Sequence, residues 1–256
     1  MKIQYCSDLH LEFAENWDYL KRSPIIPVGD ILVIAGDLCY IEHLDSLKMK
    51  TFFQFLSDSF SAVYYIPGNH EFYGNTDISL LNKPLNIKIL DNVFLVNNYI
   101  EKIDDVVLIL SALWSHLYGR NIPVIKARLN DFHLIRYNED CLSVEHYNQM
   151  HQDSVGFLKE ALIECSSNDK VVVATHHLPS FDCIAPEFTG NAINLAFASN
   201  LNSLIESSSA QYWIYGHSHS NIPVKMIGKT KLISNSLGYI CMNEHRLFKA
   251  NAMICI

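Results

Sequence analysis

No apolar run in this sequence approaches the roughly 18 to 20 residues that a membrane-crossing helix needs. That argues against a membrane role. Also lacking is any Cys-x-x-Cys pair: the seven cysteines stand alone at positions 6, 39, 141, 165, 183, 241 and 255. An odd number so scattered fits neither a disulfide framework nor a zinc ribbon, and the thiols are expected to be reduced, mostly buried small hydrophobes. There is no block of Lys and Arg, and the formal net charge of -8 disfavours a nonspecific grip on nucleic acid, which depends on displacing phosphate counterions. A nucleotide-sized substrate stays compatible with that charge. No internal repeat and no low-complexity tract is found. Only Lys2 precedes a first short strand whose end carries polar residues, so cleavage of a signal peptide there would remove them, and a cytoplasmic location is expected.

What is present is a 256-residue chain with 49% hydrophobic and 18% charged residues, the balance of an ordinary globular protein. One construction recurs along it. Val63-Tyr64-Tyr65-Ile66 runs into Pro67-Gly68 and is followed at once by Asn69-His70-Glu71, so a buried strand delivers polar groups at its carboxyl end. The same holds where Ile3 to Cys6 leads to Asp8 and His10, where Ile31 to Ala35 leads to Gly36-Asp37, where Val171 to Thr175 leads to His176-His177, and where Tyr212 to Tyr215 leads to Gly216-His217-Ser218-His219. Open α/β sheets build their sites in this way. Because the motifs stretch from Asp8 to His219, splitting the chain would divide the site, and residues 1–256 are read as one domain.

Between these strands the pattern predicts further elements. Residues 11–29, with Pro24 and Pro27, read as a loop; 41–60 carry apolar residues at helical spacing and complete a βαβ crossover. Short strands are expected at 87–90, 93–96 and 106–110, an irregular or briefly helical stretch at 120–138, and a helix at 143–165 capped by Ser143. Residues 178–191 are turn-rich and could lie as a lip over the site, and a shorter helix is expected over 193–207. Beyond His219, runs near Val224, 231–234, 239–242 and 252–256 read as antiparallel strands with a turn at Gly228-Lys229.

Alternation along an extended chain would point Asp8 and His10 the same way, and likewise His217 and His219. Imidazoles and carboxylates without thiolates suit Mn, Fe or Zn, and a carboxylate can bridge two ions about 3.5 to 4 Å apart, the arrangement used in phosphoester displacement. The set Asp8-x-His10, Gly36-Asp37, Gly68-Asn69-His70-Glu71, His176 and Gly216-His217-x-His219 resembles the calcineurin-like metallophosphoesterases, in that family's motif order.

The resemblance implies an α/β fold: a four-layer α/β/β/α sandwich of two mixed β-sheets flanked by helices, with two divalent or trivalent metal ions at the strand ends. By that likeness Asp8, His10 and His219 would hold one ion, Asn69, His176 and His217 the other, and Asp37 would bridge them. A hydroxide between the ions would attack phosphorus, and His70 would serve the departing oxygen as general acid or hydrogen-bond donor, which places Asp37 and His70 at the catalytic centre. The sequence departs from the family after Gly36-Asp37. Where many relatives carry a second Asp it continues Leu38-Cys39-Tyr40, with Glu42 the nearest acid, so the acidic partner of His70 is not identified. The Asp-Arg-Gly of the serine/threonine phosphatases is absent too, which argues against a protein phosphatase.

Of the adjacent His176 and His177 only one can face the ions from an extended strand; His176, directly ending the apolar run, is the expected ligand, and His177 is assigned to the substrate side or to support of the ligands. Asn69, Arg128 and Arg136 complete the candidate substrate-binding set, the arginines as guanidinium donors to phosphate. The function expected is hydrolysis of a phosphate ester of a small metabolite or nucleotide. A DNA or RNA nuclease is the alternative, and a non-catalytic protein-binding scaffold the third reading.

Overall fold

The computed structural model describes residues 1–138 and 140–256. Fourteen strands follow one another along it: β1 (Lys2–Cys6), β2 (Ile31–Ala35), β3 (Ala62–Ile66), β4 (Leu85–Leu90), β5 (Val93–Asn97), β6 (Tyr99–Ile103), β7 (Val106–Ser111), β8 (Arg136–Tyr137), β9 (Asp140–Cys141), β10 (Lys170–Thr175), β11 (Ala210–Tyr215), β12 (Lys225–Ile227), β13 (Thr230–Ser234) and β14 (Met253–Cys255). The α-helices are α1 (Ala14–Arg22), α2 (Leu47–Ser59), α3 (Ile122–Arg128), α4 (Asp131–Leu134), α5 (Val144–Glu164) and α6 (Asn202–Ser207).

Two six-stranded sheets have the same plan. In the order β14-β1-β2-β3-β5-β4 the four inner strands are parallel and the edge strands β14 and β4 antiparallel. In the order β12-β13-β11-β10-β7-β6 the inner four are again parallel and the edges β12 and β6 antiparallel. Parallel inner strands need both faces covered, and the sequence supplies near-continuous apolar runs for them. In β2, Ile31, Val33 and Ala35 face the other sheet, while Leu32 and Ile34 turn to the opposite side and join a core with Met49, Phe53 and Leu56 of α2. In β10, Val172 and Ala174 enter the layer between the sheets, while Val171 and Val173 pack with Leu158, Ala161 and Leu162 of α5 and Ile205 of α6. The alternation of period two thus gives four layers, helix, sheet, sheet, helix.

The parallel strands of both sheets bring their carboxyl ends to one mouth, and polar ties stitch the sheets there. Ser7, just past β1, bridges to Ser236, just past β13, and their hydroxyls lie 2.9 Å apart. The backbone N–H of His217 donates to Asp8 at 2.9 Å, and the ring of His176 donates from Nδ1 to the carbonyl of Ala35 at 2.9 Å.

Several expectations are corrected. Residues 14–22 form α1 rather than loop, since Pro24 and Pro27 fall beyond its end. The stretch 41–60 is a short 3₁₀ turn, Ile41–His43, followed by α2 from the Ser46 cap, and 193–207 likewise splits into a 3₁₀ turn and α6. Tyr239 to Met242 is not a strand: Ile240–Met242 is a 3₁₀ turn ended by Asn243 in the left-handed region. β13 pairs antiparallel with β12 but parallel with β11. The cysteines are all free, yet only Cys6, Cys39 and Cys183 are buried, and Cys141, Cys241 and Cys255 are exposed. Among the described residues no helix is long and apolar enough to cross a membrane.

Candidate metal centre

The first sheet presents Asp8, His10, Asp37, Asn69 and His70 at the mouth, and the second sheet His176, His217 and His219. None of the first strand's donors lies on the strand itself. The backbone leaves the extended region and turns through the left-handed region at Asp8 (φ 54°), His10 (47°), Asp37 (54°), His217 (68°) and His219 (51°). Alternation is therefore not what aligns Asp8 with His10, or His217 with His219. Paired left-handed turns do it, at a conformational cost that ordinary residues bear mostly at functional sites.

Two donor groups result: Asp8, His10, Asp37 and His219, and Asp37, His176 and His217, the donor atoms in each lying within 4.8 Å of one another. Asp37 belongs to both. Its Oδ2 is 3.8 Å from His10 Nε2 and its Oδ1 3.4 Å from His176 Nε2, while Asp8 Oδ1 is 3.5 Å from His219 Nε2. Asn69 Oδ1 sits 3.2 Å from His176 Nε2. The glycines make room for this approach: a Cβ on Gly68 would meet Asp37 Oδ1 at 2.2 Å, and one on Gly36 would meet His176 Nδ1 at 2.1 Å.

The hydrogen bonding around the rings fixes which nitrogen faces inward. His10 donates from Nδ1 to Glu12 Oε1 (3.1 Å), His219 from Nδ1 to Glu244 Oε2 (2.7 Å) and His176 from Nδ1 to a carbonyl, so each ring turns Nε2 to the centre. There His10 Nε2 and His219 Nε2 lie 2.9 Å apart, and His176 Nε2 and His217 Nδ1 3.1 Å apart. Nitrogen lone pairs converging in this way, beside buried carboxylates, form a donor set that a borderline divalent cation satisfies.

The electrostatics agree. Burial pulls His10 down to about 3 and His176 to about 4, and it pushes His217 far below the usual imidazole range. These rings are neutral, as ligands must be. Burial also acts against His219, but the carboxylates of Asp8 and Glu244 override it and raise the ring to about 9. Burial raises Asp37, and crowding by Glu71 and Asp8 adds to it. Asp8 is held below the usual carboxylate range, because His219 outweighs the burial that opposes it.

Supporting groups surround the donors, and of these only Glu71 belonged to a motif, without a role assigned to it. Glu71, fully buried, accepts from the backbone N–H groups of Leu38 (2.7 Å), Gly68 (2.6 Å) and Asp37 (3.1 Å) and from the Tyr65 hydroxyl, clamping the β2 and β3 loops together. Asp131 accepts from Asn69 Nδ2 (3.0 Å) and the Tyr73 hydroxyl (2.6 Å), which orients the Asn69 carboxamide with its oxygen toward His176. Tyr239 places its hydroxyl 3.0 Å from His70 Nε2. Glu12, whose Oε1 lies 2.8 Å from His70 Nδ1, is the acidic partner that the sequence left unidentified. Its spacing, two residues beyond His10, was the available signal; Asp131, at the start of α4, and Glu244, at the start of a 3₁₀ turn, are distant in sequence and offered none.

A cavity of about 340 Å³ opens beside the centre, lined by Asp37, Asn69, His70, His217 and His219 on its floor and by parts of 128–130 and 178–197 on its walls. Arg128 lines it. Arg136 does not: it lies on β8, in a bridge with Asp77 outside the cavity. His177 is likewise not on the substrate side. It is fully buried, its ring 5.0 Å from that of Trp114 and 4.2 Å from that of His217, with Nε2 3.4 Å from the Tyr147 hydroxyl. The backbone bends after Thr175, so the second histidine folds into the core instead of swinging outward.

Residues 1–221 match the sequence model of the calcineurin-like phosphoesterases. The chain belongs to the calcineurin-like phosphoesterase family. Membership makes it a metal-dependent phosphohydrolase acting on phosphorylated substrates, in a family that uses divalent metals. An uncharacterised protein of Acanthamoeba polyphaga mimivirus is 28% identical, over 99% of this chain and 96% of its own length. Among solved structures, the phosphopantetheinyl hydrolase of Mycobacterium tuberculosis superposes with a TM-score of 0.69 at 16% identity, covering 99% of this chain and 95% of its own. A dimetal phosphatase from Danio rerio gives 0.54 at 16% identity, covering 92% and 87%. At these identities the structures share the calcineurin-like phosphoesterase fold.

Proposed function

We propose that residues 1–256 act as one domain that hydrolyses a phosphate ester of a small metabolite or nucleotide with two metal ions, drawn from Mn, Fe or Zn. The observation that carries this reading is the sharing of Asp37 between the two donor groups. Asp8, His10 and His219 would hold one ion, Asn69, His176 and His217 the other, and Asp37 both. When bound, such ions lower the pKa of a coordinated water and neutralise charge gathering on the phosphoryl oxygens.

The chain's own residues supply the rest. Glu12 holds the His70 ring through Nδ1, and Nε2, which meets the Tyr239 hydroxyl at 3.0 Å, would exchange that contact for the departing oxygen to which it donates a proton. Tyr73 packs against the same ring, with centroids 4.3 Å apart. Arg128, which also lines the cavity, would offer a guanidinium to a non-bridging phosphoryl oxygen. Leu129, Leu178 and Phe197 keep the adjoining wall apolar, which limits water around the reacting group.

The test is to strip the protein of metal, reload it separately with Mn, Fe, Zn and Mg, and assay chromogenic phosphomonoesters and phosphodiesters. Turnover is expected with at least one of the first three and should be lost in Asp37→Ala. If no ester is turned over under any loading, the proposal is wrong.

A further inference from the structure

The cavity wall that leads away from the centre is built for an apolar group. Phe197 packs on the ring of His217 with centroids 4.5 Å apart, so apolar surface begins at a donor side chain. Ile193, Ile184 and Phe188 line the cavity with Phe197, and Phe188, on the 3₁₀ turn Pro186–Phe188, is 46% exposed. An aromatic ring displayed in this way beside a catalytic centre gains by being covered.

Two amides on the same wall are engaged at one end each. Asn194 Nδ2 donates to the carbonyl of Phe188 at 2.8 Å, and Asn191 Oδ1 accepts from the N–H of Ile193 at 3.2 Å. These bonds hold the lip in shape, and beside them Ile184, Phe188, Ile193 and Phe197 present apolar surface against which the hydroxyls of a sugar would lose hydration on entry. Among the described residues lining the cavity, Arg128 is the one Lys or Arg, while Glu244 adds a carboxylate. One guanidinium matches one phosphoryl group; a diphosphate or triphosphate would bring charge that nothing on the wall receives.

Resting on the phosphoesterase reading of the centre, we infer that the substrate carries a single phosphoryl group on an uncharged, predominantly apolar alcohol, and that Phe188 is a specificity-determining residue for it. The phosphoryl group lies over Asp37, Asn69 and His70, and the alcohol portion runs along Phe197 and Ile193 to Phe188. Sugar phosphates and nucleoside polyphosphates are excluded as preferred substrates.

Two measurements on the metal-loaded protein separate this inference from the reading it rests on. In the first, binding of the non-hydrolysable benzylphosphonate and methylphosphonate is compared by calorimetry in wild type and Phe188→Ala. Benzylphosphonate should bind roughly tenfold tighter or better, with a more negative heat-capacity change, and Phe188→Ala should erase most of that advantage while leaving methylphosphonate unchanged. In the second, KM is compared for benzyl phosphate, glycerol phosphate and a hexose phosphate, whose leaving alcohols are of similar basicity. Benzyl phosphate should have the lowest KM, rising roughly tenfold in Phe188→Ala with kcat held. Equal affinity for the two phosphonates, a benzyl advantage that survives Phe188→Ala, or a lower KM for the hexose phosphate would each overturn the inference. Absence of all turnover would count against the phosphoesterase reading, while the phosphonate comparison would still decide the character of the wall.

Discussion

His176 and His177 stand next to each other, yet the fold gives them unrelated work. His176 aims Nε2 at Asp37, Asn69 and His217; His177 is packed between Trp114 and His217 behind that ring. His176→Ala should therefore deplete the ion expected on Asn69 and His217, whereas His177→Ala should retain both ions. Its penalty should be a core defect, lowering stability by about 1 to 3 kcal/mol. Metal analysis and denaturant midpoints on both variants check this, and a full pair in His176→Ala with a depleted pair in His177→Ala would reverse it. That His176 would join the cluster at the mouth was the expectation from a strand that offers only one face there, and the structure places its ring in a donor group with Asp37 and His217. The destination of His177 was not legible in the sequence, since a bend after Thr175 decides it. Alternation was the wrong argument for pairing Asp8 with His10 and His217 with His219, because the backbone there is left-handed and no extended geometry applies.

Elements were legible where local signals and packing agree. Helix α5 runs Val144–Glu164 with Ser143 as its cap, the Ser143 side chain accepting from the N–H of His146 at 3.1 Å. Cap chemistry and an apolar stripe pointed to the same segment. Ser143→Ala should lower the unfolding free energy by about 1 kcal/mol, with turnover unchanged because the cap lies outside the cavity lining. Chemical denaturation followed by circular dichroism would show it, and no shift in midpoint would mean the cap is redundant. Legibility failed where those signals part. β6 is a half-exposed edge strand whose Glu101 and Lys102 break the apolar pattern, and it is defined by pairing with β7 rather than by its own residues. The run at 239–242 is β-favouring in composition, but the N–H of Tyr239 donates to Glu244 and the chain coils to deliver the Tyr239 hydroxyl to His70. A site requirement there outweighs local propensity.

At the scale of the whole molecule, the centre couples stability to ligand. It sits where two sheets meet, and its donors come from both, so an ion held there ties the sheets together in the native state and finds no such arrangement in the unfolded chain. The same convergence concentrates unfavourable charge: Asp8, Asp37 and Glu71 are fully or almost fully buried, and crowding by Glu71 and Asp8 adds to the burial that raises Asp37. These opposing effects predict distinct melting behaviour for wild type and Asp37→Ala. For wild type, an ion at about a hundredfold excess over its Kd should add about 2.7 kcal/mol, raising the Tm by roughly 5 to 10 °C for a chain of this size. Asp37→Ala, which removes the carboxylate shared by both donor groups, should lose most of that response. In chelator it should melt at or above wild type, because the crowded carboxylate is gone. Thermal scans of both proteins in chelator and in excess Mn or Zn measure all four values. A variant that melts below wild type in chelator yet keeps the full metal-induced rise would show that Asp37 supports the fold and does not join the two donor groups.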